Sequence, residues 1–265
     1  MFGTVLVFDI ETVPDVAGGR RLYHLEGLDD EAVAKAMFHK RREESGGEFL
    51  RHHLQRIVAI SVLLRHRDEV RVWSLGELDS GEDEIIRRFF DGIERFSPTL
   101  VSWNGSGFDL PVLHYRSLLH GISAPRYWDT GDGSQEFRWN NYINRYHTRH
   151  TDLMDVLSAY QGRACAPLNE IAVLLGFPGK LGMDGAQVWD QYRAGALADI
   201  RNYCETDVVN TYLVYVRYEL IRGHITMKEW EAEQAFVRGM IRQEANTHPH
   251  WQRFLDAWPE CAAKP

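Results

Sequence analysis

Two carboxylates stand two residues apart at the end of an apolar run, Thr4-Val5-Leu6-Val7-Phe8-Asp9-Ile10-Glu11-Thr12. Side chains alternate along a strand, so Asp9 and Glu11 share one face and Ile10 takes the other. At a rise of ~3.3 Å per residue, their attachment points lie about 7 Å apart. Paired acids at the end of a core strand repel each other and are costly unless something neutralises them. A divalent cation does so well, because hard ions such as magnesium prefer carboxylate oxygen. The competing reading is two solvated acids in a loop after the strand. A third acid, Asp109, follows the turn Asn104-Gly105-Ser106-Gly107-Phe108. Asp is a favoured helix N-cap, but the carboxyl edge of an α/β sheet is also where ligand sites gather. A fourth, Asp207, comes four residues after Tyr203, so phenol and carboxylate share one helical face. Glu205 falls off that face and is expected in solvent.

The elements that must carry these groups follow from periodicity. Residues 4–12 and Ile57–Leu64 are apolar, β-branched runs and read as buried strands, the second as the strongest central-strand signal. Val70-Arg71-Val72-Trp73 alternates, as a half-exposed hairpin partner does. Glu82–Phe96 has a 3.6-residue apolar period and reads as an amphipathic helix. Thr99–Trp103 is a short strand, and a helix runs from Asp109 to about His120 with Pro111 in its first turn. Thr151–Leu157 is a strand-to-helix passage, Pro167–Leu175 a short helix, and helix returns over 186–193 and from Leu197 to about Arg222. Met227–Glu244 is a last amphipathic helix, and the order of the tail after Pro249 is left open. This order predicts an α/β sheet of mixed direction.

Two segments fall outside that frame. Residues 15–56 read as an insertion with a helix near 30–42 and a basic lip (Arg20, Arg21, Lys40, Arg41, Arg42, Arg51) interleaved with acids, most simply a solvated surface. Residues 124–147 read as a long loop whose Trp128, Trp139, Tyr142 and Tyr146 are available for packing or for stacking on a single strand. His147 and His150 alone make a weak metal signal.

The 265 residues fit one large domain or a domain with additions. No run approaches ~18 apolar residues, and no basic segment precedes the first strand, so neither a membrane span nor a cleavable signal is expected. Cys165, Cys204 and Cys261 are widely spaced, without a CxxC, which disfavours a zinc ribbon or a disulfide framework and makes the cytoplasm the expected location. A net charge of −8 argues against non-specific coating of nucleic acid. It is compatible with an enzyme that takes one nucleic-acid end into a metal site.

Three blocks occur in order: Phe8-Asp9-Ile10-Glu11-Thr12, Asn104-Gly105-Ser106-Gly107-Phe108-Asp109 and Tyr203-Cys204-Glu205-Thr206-Asp207. They resemble the three motifs of the DEDD 3′–5′ exonucleases, and the Tyr-x-x-x-Asp spacing resembles the tyrosine branch (DEDDy). The histidine branch would need His at position 202, which is Asn202. The first two blocks are most similar to the proofreading domain of family B DNA polymerases, which is here expected to be freestanding. The resemblance implies a ribonuclease H-like fold: a five-stranded mixed sheet flanked by helices, as an exonuclease domain over 1–222. The insertion lies at about 15–56, and a C-terminal helical extension over 223–265 packs on the domain. It implies two divalent ions, Mg²⁺ or Mn²⁺. Asp9 would bridge both, Glu11 and Asp207 would complete the site that binds the attacking water, Asp109 would hold the second ion through water, and Tyr203 would orient the water. Substrate-side candidates are Asn104, Phe108 (also a core candidate), Asp152 and Lys180, the last as a phosphate contact on a Gly-rich loop. Asp155 is assigned to helix-start or surface duty. The expected partner is a single-stranded 3′ end, DNA ahead of RNA, shortened by 5′-mononucleotides. Two other readings remain open on these residues: a non-catalytic nucleic-acid-binding module, and a phosphodiesterase acting on short oligonucleotides.

Overall fold

The structure is a computed structural model and describes residues 3–258; Cys261 lies outside them. Five strands form one mixed sheet: β1 (Val5–Pro14), β2 (Gln55–His66), β3 (Glu69–Ser74), β4 (Thr99–Ser102) and β5 (His150–Asp152), in the order β3-β2-β1-β4-β5. β1 pairs antiparallel with β2 and parallel with β4, and β4 is parallel to β5. This is a ribonuclease H-like arrangement. The central strand is β1 rather than β2, although β2 has the longer apolar run. Parallel pairing with β4 makes β1 the middle of the sheet, and α9 on one side and the α3–α4 layer on the other bury both its faces. The register places Asp9 opposite Ser61 and Glu11 opposite Ala59, with a bulge between Glu11 and Thr12 that turns the strand just past its two acids.

The insertion holds α1 (Val16–Tyr23) and α2 (Asp30–Ser45), each N-capped by an aspartate, Asp15 and Asp29. Next come α3 (Glu82–Phe96), with the bounds its periodicity predicts, and α4 (Asp109–His120). The stretch 124–147 is less irregular than its sequence suggests. It contains a short α5 (Pro125–Trp128) and a 3₁₀ turn, and it buries Tyr127, Phe137 and Tyr142 against α3 and α4. Only Trp128, Trp139 and Tyr146 of its aromatic rings stay in solvent. α6 (Leu153–Leu157), α7 (Leu168–Leu174) and α8 (Val188–Arg193) lead to the 25-residue α9 (Leu197–Ile221). From Val208 to Val216 α9 is buried on every side, because the sheet covers one face and other helices the rest.

Two helices close the chain, α10 (Met227–Glu244) and α11 (Pro249–Asp256). The second lies in the tail whose order the sequence left open: Pro249–Asp256 is helical, with Pro249 in the first turn and Trp251 and Phe254 fully buried. Val237, Ile241, Trp251, Phe254 and Trp258 share one apolar cluster with α9 and with Leu63 and Val101 of the sheet. The extension therefore has no separate core. Arg65 of β2 fastens it with a two-pronged ion pair to Glu233, whose Oε1 also accepts from the Tyr212 hydroxyl.

The insertion is fastened by a second buried network. Arg116 of α4, 3% exposed, donates to Asp15 Oδ2 at 2.6 Å and to both oxygens of Glu82, while Glu82 Oε1 also accepts from the Ile57 amide. One guanidinium thus joins α1, α3, α4 and β2. Removing one partner of a buried ion pair leaves the others charged and unpaired, so Arg116→Ala is expected to cost about 3–5 kcal/mol. Urea unfolding will show this as a lower midpoint at unchanged slope, and a midpoint within error of wild type rules the network out as a fastening.

Candidate active site

The carboxyl ends of β1, β4 and β5 lie at one end of the sheet, and the candidate residues collect there. Asp9 and Glu11 project from β1. The turn after β4 carries Asn104 at φ +65 and delivers Asp109 to the start of α4. Asp109 is 3% exposed and does not cap the helix; its Oδ1 accepts the Ile10 amide of β1 at 3.1 Å. Motif turn and strand are thereby locked together. α9 crosses beneath and presents Tyr203 and Asp207, both buried.

Crowding of these acids shows in their proton affinity. The Asp9 carboxyl is pushed well above the usual range, first by burial and then by the charges of Asp109, Glu11 and Asp207. Glu11 is raised well above its usual value by burial and by Asp207, with Lys180 opposing. Burial lifts Asp109 to about 7 and Asp207 to about 6, the latter restrained by the Lys180 ammonium. All four acids are therefore close enough to repel, but they do not form one tight shell. Among the described residues, the closest trio of ligand-bearing side chains is Asp9, Glu11 and Cys204, with atoms all within 4.8 Å. Asp109 and Asp207 flank that trio. The Cys204 thiol is held protonated by burial and by its acidic neighbours, and it donates to the Asp9 carbonyl and to Asp9 Oδ2, each at 3.4 Å.

The donor set fits hard divalent cations. It is made of carboxylate oxygens. Asp207 Oδ1 is buried with no hydrogen-bond partner, an unsatisfied acceptor of the kind a cation would take. In this structure a side chain supplies the positive charge: Lys180 Nζ lies 3.8 Å from Asp207 Oδ2 and donates to the Tyr203 hydroxyl. Lys180 is firmly presented. Its amide donates to Asn169 Oδ1, while Asn210 clamps both the amide and the carbonyl of Gly179, which sits at φ +66. Only glycine adopts that backbone freely.

The other candidates divide. Asp152 faces the turn and not the open site: its two oxygens accept the amides of Asn104 and Ser106, and Oδ1 also takes those of Met154 and Asp155. It holds the motif turn and has no free oxygen for substrate. Asn104 packs its side chain over Gly107, where a Cβ would come within 2.4 Å of Asn104 Oδ1. Phe108 is half-buried, touches the α3–α4 core and leaves one face to Phe49 and His52. Asp155 forms a bidentate pair with Arg145 at 2.7 Å, in keeping with a structural duty.

Glu205 corrects an expectation. It is not solvated: its side chain is 14% exposed and accepts from Ser74 Oγ at 2.7 Å, with His250 Nε2 at 3.3 Å. The reason is α11, which covers the face of α9 that the local pattern leaves open. Ser74 in turn bonds Ser61, which lies opposite Asp9 in β2. This packing and the Cys204 contact were the parts of the site that sequence reasoning missed. The only local hint was a small residue, Cys204, beside the tyrosine on the buried side of a helix.

Comparison with known proteins bears on this arrangement. Over 145 residues the chain is 26% identical to the catalytic polypeptide of DNA polymerase epsilon from Emericella nidulans and from Aspergillus fumigatus, covering 53% of this chain and 6% of each relative. The chain thus spans only a small part of the curated relatives it matches. Among solved structures, the family B DNA polymerase of Pyrobaculum calidifontis aligns with 83% of this chain and 25% of its own, at 18% identity and a TM-score of 0.48. A zinc-bound E. coli exonuclease I complex with single-stranded DNA aligns with 84% and 45%, at 13% identity and a TM-score of 0.34. The sequence pattern of one family, described as a predicted 3′–5′ exonuclease related to the exonuclease domain of PolB, matches residues 47–258. That span begins after β1 and includes the motif turn, α9 and both C-terminal helices. Matched over most of its length, the chain belongs to this family of predicted 3′–5′ exonucleases.

Proposed function

We propose that this protein removes 5′-mononucleotides from the 3′ end of a single strand, DNA ahead of RNA, at a centre for two divalent ions, Mg²⁺ or Mn²⁺. The observation that carries the reading is the meeting of four crowded carboxyl groups beside one buried phenol, with an unpartnered oxygen on Asp207. The choice of DNA follows from the partial relatives, which are DNA polymerases. Asp9, Glu11, Asp109 and Asp207 would hold the ions, which supply positive charge at the attacking and leaving oxygens of an in-line displacement at phosphorus. The chain's own groups do the rest. Tyr203 is pushed well above the ordinary phenol range by burial and by Asp207, so it stays neutral and orients the attacking water through its hydroxyl. Lys180 stands beside that hydroxyl and offers its ammonium to a phosphate oxygen. Asp152 keeps the turn that aims Asp109.

A 5′-labelled single strand incubated with Mg²⁺ or Mn²⁺ will give a ladder of shortened products, and chelator will stop it. Absence of a ladder with both ions defeats the proposal. Tyr203→Phe keeps the ring and loses the hydroxyl, and it is expected to slow the ladder about 10²-fold without abolishing it, the usual yield of one positioned proton-handling group. An unchanged rate removes Tyr203 from the reaction.

A further inference from the structure

Behind Asp9 runs a line of buried polar side chains that the chemistry described above does not use. It starts at His250 of α11, whose ring is buried and packs on that of Trp251, centroids 4.5 Å apart. His250 Nε2 stands 3.3 Å from Glu205 Oε2, a close polar approach and not an aligned hydrogen bond. Glu205 Oε1 accepts from Ser74 Oγ of β3 at 2.7 Å, and Ser74 Oγ is hydrogen-bonded to Ser61 Oγ of β2 at 2.9 Å. Ser61 is fully buried and hydrogen-bonds the Cys204 thiol, and Cys204 donates to Asp9. The line thus passes from α11 to the acid that would bridge both ions without leaving the protein interior.

Cys204 and Glu205 are consecutive residues of α9, so the helical step of about 100° turns them to different partners, Cys204 to β1 and Glu205 to β3. A roll of α9 about its axis that shortens one contact stretches the other. The line therefore holds α9 at one roll angle, and α9 also carries Tyr203 and Asp207. Buried hydroxyls and a buried carboxylate cost free energy where alanine or valine would fill the space, and what they add here is direction. Groups behind a metal's ligands orient those ligands, and losing one weakens metal affinity about 10–100-fold. We infer that His250, Glu205, Ser74, Ser61 and Cys204 are positioning residues: they set the roll of α9, and with it the reach of Asp207 and the aim of Asp9 toward a shared divalent ion. This rests on the exonuclease reading and deepens it, since it makes α11 part of what assembles the site.

Binding of Mn²⁺ to the full chain, read as loss of the free-ion electron paramagnetic resonance signal, tests this without turnover. Ser61→Ala and His250→Leu should each raise the Mn²⁺ concentration for half-saturation about 10-fold. The double variant should be no weaker than either single one, since both changes break the same line. Cys204→Ala should repeat the loss, and Cys204→Ser, which keeps a donor toward Asp9, should bind as wild type does. His250→Gln, which keeps a polar group facing Glu205, should recover most of the affinity. Ser61→Ala removes one oxygen and should stay folded by circular dichroism; should His250→Leu fail to fold, Ser74→Ala breaks the line within the sheet and takes its place. Wild-type affinity in Ser61→Ala and Ser74→Ala overturns the inference, as does a double variant whose losses multiply to about 100-fold, the mark of independent supports. Wild type that binds no Mn²⁺ and yields no ladder defeats the exonuclease reading itself, whereas binding that every variant keeps defeats only the positioning line.

Discussion

Asp207→Asn and Asp9→Asn will each abolish strand shortening, by about 10³-fold or more, with the fold intact. The expectation rests on what each side chain does in the structure. Asp207 Oδ1 has no hydrogen-bond partner to lose and its Oδ2 only the part-exposed Lys180 ammonium at 3.8 Å, and Asp9 Oδ2 accepts only the weak Cys204 thiol donor. Neither carboxylate is therefore a fold support. Each amide variant keeps the shape and removes a negative charge from a cluster in which every carboxyl is already pushed upward. The charge is what holds the ions, and losing a stabiliser of the displacement costs on the order of 4 kcal/mol, or about 10³-fold. Folding and chemistry are separable here: thermal melting without metal should show both variants at or above wild type. A variant that melts normally and still cuts at near-wild-type rate would remove that residue from the site. Asp155→Asn provides the contrast, since Asp155 is spent on Arg145 and should affect stability more than rate.

What was legible in the sequence was what short spacing fixes. The period of two in β1 puts Asp9 and Glu11 together, and the i, i+4 step puts Tyr203 beside Asp207. The α3 bounds followed from apolar periodicity alone. What was hidden depends on which elements end up touching. Cys204 acquires its contact with Asp9 only because α9 lies under β1, some 195 residues away in the chain. Glu205 is covered by α11, so its burial cannot be read from α9. Asp152 looked free to meet substrate until the parallel pairing of β4 with β5 aimed it at the amides of Asn104 and Ser106. The insertion looked like a charged surface, and only folding sets Phe49 against Phe108. The last helix was legible in principle: Trp251, Phe254 and Trp258 fall at helical spacing, a signal masked by Pro249, which begins that helix and does not end it.

In chelator, the protein will lose thermal stability as pH rises from 6.5 to 8.5, and Mg²⁺ or Mn²⁺ will restore it. The sign follows from which state holds more protons. A buried acid whose folded value lies above its unfolded one keeps its proton in the fold while the unfolded chain has already given it up. Stability then falls with rising pH, by about 1.4 kcal/mol per unit for each such group, until the folded value is passed. Asp109, at about 7, completes its fall early in the window, and Asp9 and Glu11, raised well above their usual values by burial, act in the same direction. Two histidines, His150 buried and His114 half-buried, pull the other way, but only at lower pH. His150 donates or accepts against Ser102 and His114 against Tyr127, and burial lowers each to about 4. Their contribution of about 3 kcal/mol each is complete above the ordinary histidine value of about 6.5 and is lost as pH drops from there toward 4. Above 6.5 the acids act alone, and Asp109 by itself removes about 1 kcal/mol, a fall of about 2–4 °C in melting temperature, to which Asp9 and Glu11 add. Divalent ions bind the ionised carboxylates of the fold and not of the unfolded chain, so they raise the melting temperature most where the apo protein is weakest. Asp109→Asn should flatten the pH profile in chelator and shrink the rise given by the ions. A melting temperature level across the window, or indifferent to both ions at pH 8, would mean that these acids are neither crowded nor poised to bind metal.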